Sequence, residues 1–231
     1  MHLRVPAGIR ALLFDLDGVL TQTSKVHFAA WKEMFDAFLL ERGDGEFTER
    51  DYAEYVDGKP RLDGVRSFLE ARGIEPEPAL VDKLGTRKND LVLALIDERG
   101  VERYDGSAAF VEAAREAGYR CAVVSSSNNC RQVLEAAGID HLFEARVDGV
   151  VAEREGLRGK PAPDTFLAGA RLLGASAPEG AVFEDAIAGV QAGRAGAFGW
   201  VVGVDRIDQA DALREQGADI VVQDLGELVG P

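Results

Sequence analysis

The sequence predicts an α/β protein with a doubly wound parallel sheet and an inserted all-helical segment. Short apolar runs alternate with helix-like stretches through most of the chain. That rhythm stops between about residues 24 and 99, and three of the apolar runs end abruptly in polar clusters. Strands separated by amphipathic helices read as parallel βαβ units, because a parallel strand needs a crossover long enough to hold a helix.

Taken in order, the first strand is "ALLF", residues 11–14, apolar throughout as expected for a strand covered on both faces. The next segment shows no strand pattern. Phe28, Trp31, Phe35 and Phe38 recur at three- and four-residue spacing, and "PALVDKLGTRKNDLVLALIDERG" repeats the helical pattern. Alternation resumes with the helix "GSAAFVEAAREAGYR", which Gly118 is placed to stop, and the strand "CAVV". The helix "DTFLAGARLLG", the strand "AVF", the helix within "EDAIAGVQAGRAG" and the strands "GWVVGV" and "ADIVV" complete the sheet. The predicted boundaries are a core of residues 1–22 and 101–231 with a helical domain of residues 23–100 between them.

Composition limits the function. With 231 residues, 46% of them hydrophobic, the chain can bury a sizeable core. Its formal net charge of −14 opposes binding to nucleic acid or to an anionic membrane surface, both of which need a basic face. Any anionic ligand must therefore be held by a local cluster. Cys121 and Cys130 lack metal-type spacing and suggest neither a zinc site nor a disulfide framework, which fits a reducing cytoplasm. The stretch "MHLRVPAGIR" has no signal-peptide core, no run is long enough to span a membrane, and the helices demand no partner, so a monomer is expected.

The polar clusters carry the chemistry. "DLD" follows "ALLF", "SSSNN" follows "CAVV" and "EDA" follows "AVF". In an open parallel sheet such strand ends face one crevice, where ligands bind. Asp15 and Asp17 at one strand tip repel each other unless a positive charge lies between them.

This constellation resembles the haloacid dehalogenase superfamily of phosphotransferases. The first motif is "DLDGVLT", the second is Ser125 in "VVSSS", the third is Lys160 in "GKPAPD", and the fourth is Glu184 and Asp185 in "FEDA". The resemblance implies a Rossmann-like core with a mobile helical cap after the first motif. It also implies an aspartyl-phosphate intermediate, with Asp15 as nucleophile and Asp17 as general acid and base. Mg²⁺ is the implied cofactor, held by Asp15, the Asp17 carbonyl and Asp185, with Glu184 either a ligand or an outer carboxylate. Ser125, Ser126 and Lys160 would bind the phosphoryl oxygens.

In the cap, "DGKPRLDG", "TRKND" and "TQTSKVHFAAWK" resemble the β-phosphoglucomutase-like subfamily. That likeness assigns Arg61 to a second phosphate and Lys88 and His27 to the sugar and the catalytic aspartate. Trp31, Gly58 and Asn89 are counted among the cap's substrate contacts, and Thr23 falls in the hinge. Gln22 departs from the aspartate that related mutases often carry there. The implied activity interconverts β-D-glucose 1-phosphate and glucose 6-phosphate through a bisphosphate; the alternative is a sugar-phosphate phosphatase. A mutase needs an anion grip at both ends of its site, and Lys59 with Arg61 offers the second.

Overall fold

The computed structural model describes residues 2–230. Strand β1 (His2–Leu3) precedes β2 (Ala11–Phe14), and the chain then enters helices α1 (Thr23–Arg42), α2 (Glu49–Asp51), α3 (Arg61–Ala71) and α4 (Pro78–Arg99). After α5 (Asp105–Glu116) come β3 (Arg120–Val124), α6 (Cys130–Ala136), β4 (Ala145–Val147), α7 (Gly149–Glu155) and α8 (Asp164–Leu172). The chain finishes with β5 (Gly180–Glu184), α9 (Ile187–Ala195), β6 (Trp200–Val204), α10 (Ala210–Glu215), β7 (Ile220–Val222) and β8 (Val229–Gly230).

Among the described residues, six strands form one parallel sheet in the order β4-β3-β2-β5-β6-β7. The chain builds outward from β2 in one direction, then returns to build outward in the other. That reversal opens a crevice at the carboxyl ends of β2, β3 and β5. Register aligns the three ends: Phe14 pairs with Val123 on one side and Phe183 on the other, so Asp15, Ser125, Glu184 and Asp185 all leave the sheet at one edge.

The central strands are apolar because both faces are covered. Leu12, Phe14, Val123 and Phe183 pack on one side, and Leu13, Val124 and Val182 pack on the other with Phe166 of α8. The strand β4 was not anticipated. "ARV" has one fully buried apolar residue and lies at the sheet edge, so it lacks the continuous apolar run that marks the inner strands. The antiparallel pair β1–β8 was likewise too short to show a pattern.

The helical segment has its own apolar cluster, in which Trp31 and Phe35 of α1 stack at 5.3 Å and Phe35 meets Phe68 of α3 at 4.1 Å between ring centroids. The far end of α4 behaves differently: Val92 and Ile96 join the apolar cluster on the sheet. The two crossing segments are tied by Gln22 N–H to the Glu102 carbonyl (2.8 Å) and Tyr104 N–H to the Leu20 carbonyl (2.9 Å). No described helix is long and apolar enough to cross a membrane.

Candidate active site

The sheet edge brings the first, third and fourth motifs into contact. Asp15 is held by its backbone N–H on the Phe183 carbonyl (2.9 Å), and the residue is 6% exposed. The Lys160 ammonium donates to Asp15 Oδ1 and to the Val124 carbonyl (3.1 Å) and forms an ion pair with Glu184. Its underside faces the Phe166 ring at 4.9 Å. Burial alone would lower the Lys160 pKa, but the Asp15 and Glu184 charges outweigh it and raise it. Lys160 is therefore a fixed cation.

The acids respond in the opposite sense. Burial lifts Asp15 to about 6, against the pull of Lys160 and with a further push from Asp17. Burial also lifts Glu184 to about 7, again opposed by Lys160. Asp185 is raised well above its ordinary range by burial and by Asp57, Asp15, Glu184 and Asp17. Carboxylates this crowded need more positive charge than Lys160 supplies.

Asp15, Glu184 and Asp185 each offer an oxygen within 4.8 Å of the others. An all-oxygen, buried, anionic donor set of this kind fits a hard divalent cation. Gly18 shapes the same spot. Its φ is +90°, and a Cβ there would lie 1.7 Å from Asp185 Oδ2, so any side chain would displace the carboxylate. Glu184 has Lys160 on one oxygen and the Ala186 N–H on the other (3.1 Å), an arrangement that orients the cluster from behind.

Asp17 belongs to a second set of contacts that reaches into the helical segment. Thr23 donates its hydroxyl to Asp17 Oδ1 and shares a 2.7 Å bond with the Thr21 hydroxyl. His27 Nε2 lies 3.5 Å from Asp17 Oδ1, and His27 Nδ1 is 2.9 Å from Lys88 Nζ. Lys88 in turn sits 4.9 Å above the Trp31 ring. Burial lowers Lys88 to about 7 despite Asp17, and burial with the Lys88 charge lowers His27 well below its usual value. Of the two threonines in "DGVLTQT", Thr23 thus holds the second aspartate and Thr21 holds Thr23.

A cavity of about 70 Å³ joins the two sets, with Asp15, Asp17 and Asp185 on the sheet side and His27, Arg61 and Lys88 on the helical side. Gly58 brings the walls together: its carbonyl accepts from Ser126 Oγ (2.8 Å), and a Cβ at its φ of +71° would lie 2.9 Å from Ala186 Cβ. Arg61 does not pair with Asp57 or Asp63. Its Nη1 donates to Asn89 Oδ1, which also accepts from Asn129 Nδ2 (3.1 Å), and its buried Nε has no partner among the described residues. Ser125 and Lys160 lie outside the cavity lining, at 2% and 3% exposure. The Ser125 hydroxyl accepts from Ser127 N–H (3.1 Å) and shapes the loop there.

Sequence reasoning did not single out three lining residues, Asp57, Ser127 and Asn128. Asp57 is pushed up to about 7 by burial, with the Tyr52 hydroxyl pulling it back and Glu184 pushing it further. Ser127 and Asn128 extend the second motif along the wall. Position next to Gly58 was the only signal for Asp57. Lys59 lines the cavity but is engaged by Ser67 Oγ (2.9 Å), so Arg61 is the freer of the two cations.

A family model for haloacid dehalogenase-like hydrolases matches residues 9–196. A β-phosphoglucomutase of Mycobacterium tuberculosis is 50% identical, over 98% of this chain and 94% of its own. The β-phosphoglucomutase of Bacillus subtilis is 33% identical, over 95% and 92%. The crystal structure of β-phosphoglucomutase from Clostridium difficile superposes with a TM-score of 0.79 at 24% identity, covering 96% of this chain and 93% of that one. At that identity the superposition speaks for the fold.

Proposed function

The chain belongs to the haloacid dehalogenase-like hydrolases, and from that premise we infer that it is a β-phosphoglucomutase, interconverting β-D-glucose 1-phosphate and glucose 6-phosphate. The observation that carries this reading is one cavity lined by Asp15 and Asp17 on one wall and by Arg61 on the other. A phosphatase needs a single anion grip, since water replaces the sugar in its second half-reaction. A guanidinium across the cavity from the nucleophile suits the far phosphate of a bisphosphate.

In this account an Asp15 oxygen attacks phosphorus of β-glucose 1,6-bisphosphate, forming the Asp15 O–P bond as the P–O bond to the sugar breaks. Asp17 gives its proton to the departing sugar oxygen and takes a proton back from the hydroxyl that attacks phospho-Asp15 in the return step. Burial, the largest cause, raises the Asp17 pKa above its ordinary value, the direction that favours the protonated form. Lys160, with Ser125, Ser126 and nearby backbone amides, meets the charge on the transferred group with donors already in place. Arg61, set by Asn89, holds the distal phosphate, and His27, Trp31, Gly58 and Lys88 complete the sugar pocket.

The donor set suits Mg²⁺ held by Asp15, the Asp17 carbonyl and Asp185, with Glu184 as an outer carboxylate; when bound, the ion would offset charge between nucleophile and phosphate. We assign residues 1–22 and 101–231 to the catalytic core and residues 23–100 to the cap. A cytoplasmic monomer acting on small sugar phosphates goes with this reading, and the free thiols of Cys121 and Cys130 agree with it.

Two outcomes are expected. The wild-type protein, given Mg²⁺, β-glucose 1-phosphate and a trace of bisphosphate, forms glucose 6-phosphate well ahead of inorganic phosphate. Arg61→Ala lowers the mutase rate on the order of 10²-fold, with less effect on phosphate release. An unchanged product ratio would remove the case for a distal grip.

The acid cluster also predicts a pH dependence. Asp15 at about 6 and Glu184 and Asp57 at about 7 are raised above their unfolded values, so their protonation favours the fold. That stabilisation is fully present below the unfolded values near 4 and is lost as pH rises through about 6 to 7. A cation that takes the place of those protons therefore raises the melting temperature more near pH 8 than near pH 5. Calorimetry with and without saturating Mg²⁺ measures both increments; equal increments would contradict the cluster's role.

A further inference from the structure

We propose that Arg206, which belongs to none of the motifs above, is a positioning residue for phosphoryl transfer: by clamping the Gly18 carbonyl it fixes the loop that carries Asp15 and Asp17. The proposal deepens the functional reading of this site and rests on it for the chemistry.

Arg206 follows β6 and reaches back to the first motif. Its Nε donates to the Gly18 carbonyl at 2.7 Å, while the Gly18 N–H donates to the Thr21 carbonyl at 2.7 Å. With both peptide planes at Gly18 fixed, the Asp17 carbonyl must point away from Thr21, because C=O and N–H of a trans peptide are antiparallel. A neighbour on the same loop treats the fourth motif alike: Gln209 Nε2 donates to the Asp185 carbonyl at 2.8 Å. The segment after β6 therefore grips the backbone of both carboxylate loops.

Arg206 is itself well anchored. Its Nη1 donates to the Gln223 carbonyl (2.6 Å), Asp224 lies 3.6 Å away, and the guanidinium stacks 3.5 Å from the centre of the Tyr104 ring. Tyr104 lies on the segment returning from the helices, tied to Leu20. A planar guanidinium can stack and donate along several directions at once, whereas a lysine ammonium cannot reproduce that fork. Groups that orient metal ligands from behind commonly set metal affinity as strongly as the ligands' own surroundings do.

The test compares the full-length wild type with Arg206→Lys and Tyr104→Leu, the second kept in case the first fails to fold. Mg²⁺ binding to the free protein is read by titration calorimetry, followed by steady-state kinetics. Arg206→Lys is expected to weaken Mg²⁺ binding about tenfold or more and to lower kcat by a similar factor. KM for β-glucose 1-phosphate should stay within about twofold, as the substrate contacts are untouched. Folded variants of both kinds with wild-type Mg²⁺ affinity and kcat would overturn the proposal. The metal titration contains no sugar phosphate, so absence of mutase turnover would defeat the functional reading while leaving the clamp to be judged on Mg²⁺ affinity.

Discussion

Asp15→Asn is expected to lower turnover on the order of 10⁴-fold or more and to eliminate the phosphoenzyme. The amide keeps the shape of the carboxylate, but its oxygen is uncharged and shares its electrons with the C–N bond, so it is a far weaker nucleophile toward phosphorus. The scaffold has reason to survive the change. Asp15 is held to the Phe183 carbonyl through its backbone N–H, and Lys160 retains Glu184 and the Val124 carbonyl as partners. Loss of activity without loss of fold is thus the expected combination, checked by rapid-quench phosphoenzyme assay beside a melting curve. Full turnover in this variant would refute the nucleophile assignment.

Lys160→Met is expected to damage both stability and rate. The ammonium is buried between Asp15 and Glu184, and removing it leaves those acids facing each other without a counter-charge. Breaking a buried pair from one side costs about 3–5 kcal/mol. The cost should be largest near pH 8 and smaller near pH 5, because both carboxyls are raised by burial and take up protons as pH falls. At temperatures where the variant remains folded, loss of a preorganised donor to the phosphoryl oxygens should lower kcat about 10²- to 10³-fold. Denaturant melts at the two pH values, with kinetics on the folded fraction, separate these effects; a variant as stable as wild type near pH 8 would contradict the ion-pair account.

Much of this site could be read from the chain because its chemistry sits where strands end. Asp15, Ser125, Glu184 and Asp185 each follow an apolar run, and strand register brings them to one edge. The same logic explains what stayed hidden. β4 pairs at the sheet edge with a single fully buried apolar residue, so it produced no run to recognise. Asp57 faces the acid cluster only because Gly58 allows its loop to touch Ala186, a contact made across the fold rather than along the chain. Asn129 and Asn89 meet 40 residues apart in sequence, and Arg206 reaches Gly18 across 188. Such contacts between distant loops leave no local periodicity.

The hinge gives a finer example. Thr21 closes the first motif and Thr23 falls in the hinge, with Gln22 between them departing from the aspartate of related mutases. In the fold the Thr23 hydroxyl donates to Asp17 and bonds the Thr21 hydroxyl, while Gln22 joins the crossing segments through its backbone and accepts from Lys25 with its side chain (3.3 Å). The departure at position 22 therefore leaves the Thr23 hydrogen bond to Asp17 intact.

The central claim is that a phosphoryl group passes from bisphosphate to Asp15 and on to the sugar. Radiolabelled β-glucose 1,6-bisphosphate, mixed with the wild-type protein and Mg²⁺ and quenched within the first turnover, tests it most directly. Label is predicted on the peptide containing Asp15 and then, after unlabelled β-glucose 1-phosphate is added, in the hexose phosphate pool. Label that passes straight to inorganic phosphate, or that never reaches the Asp15 peptide, would contradict the account.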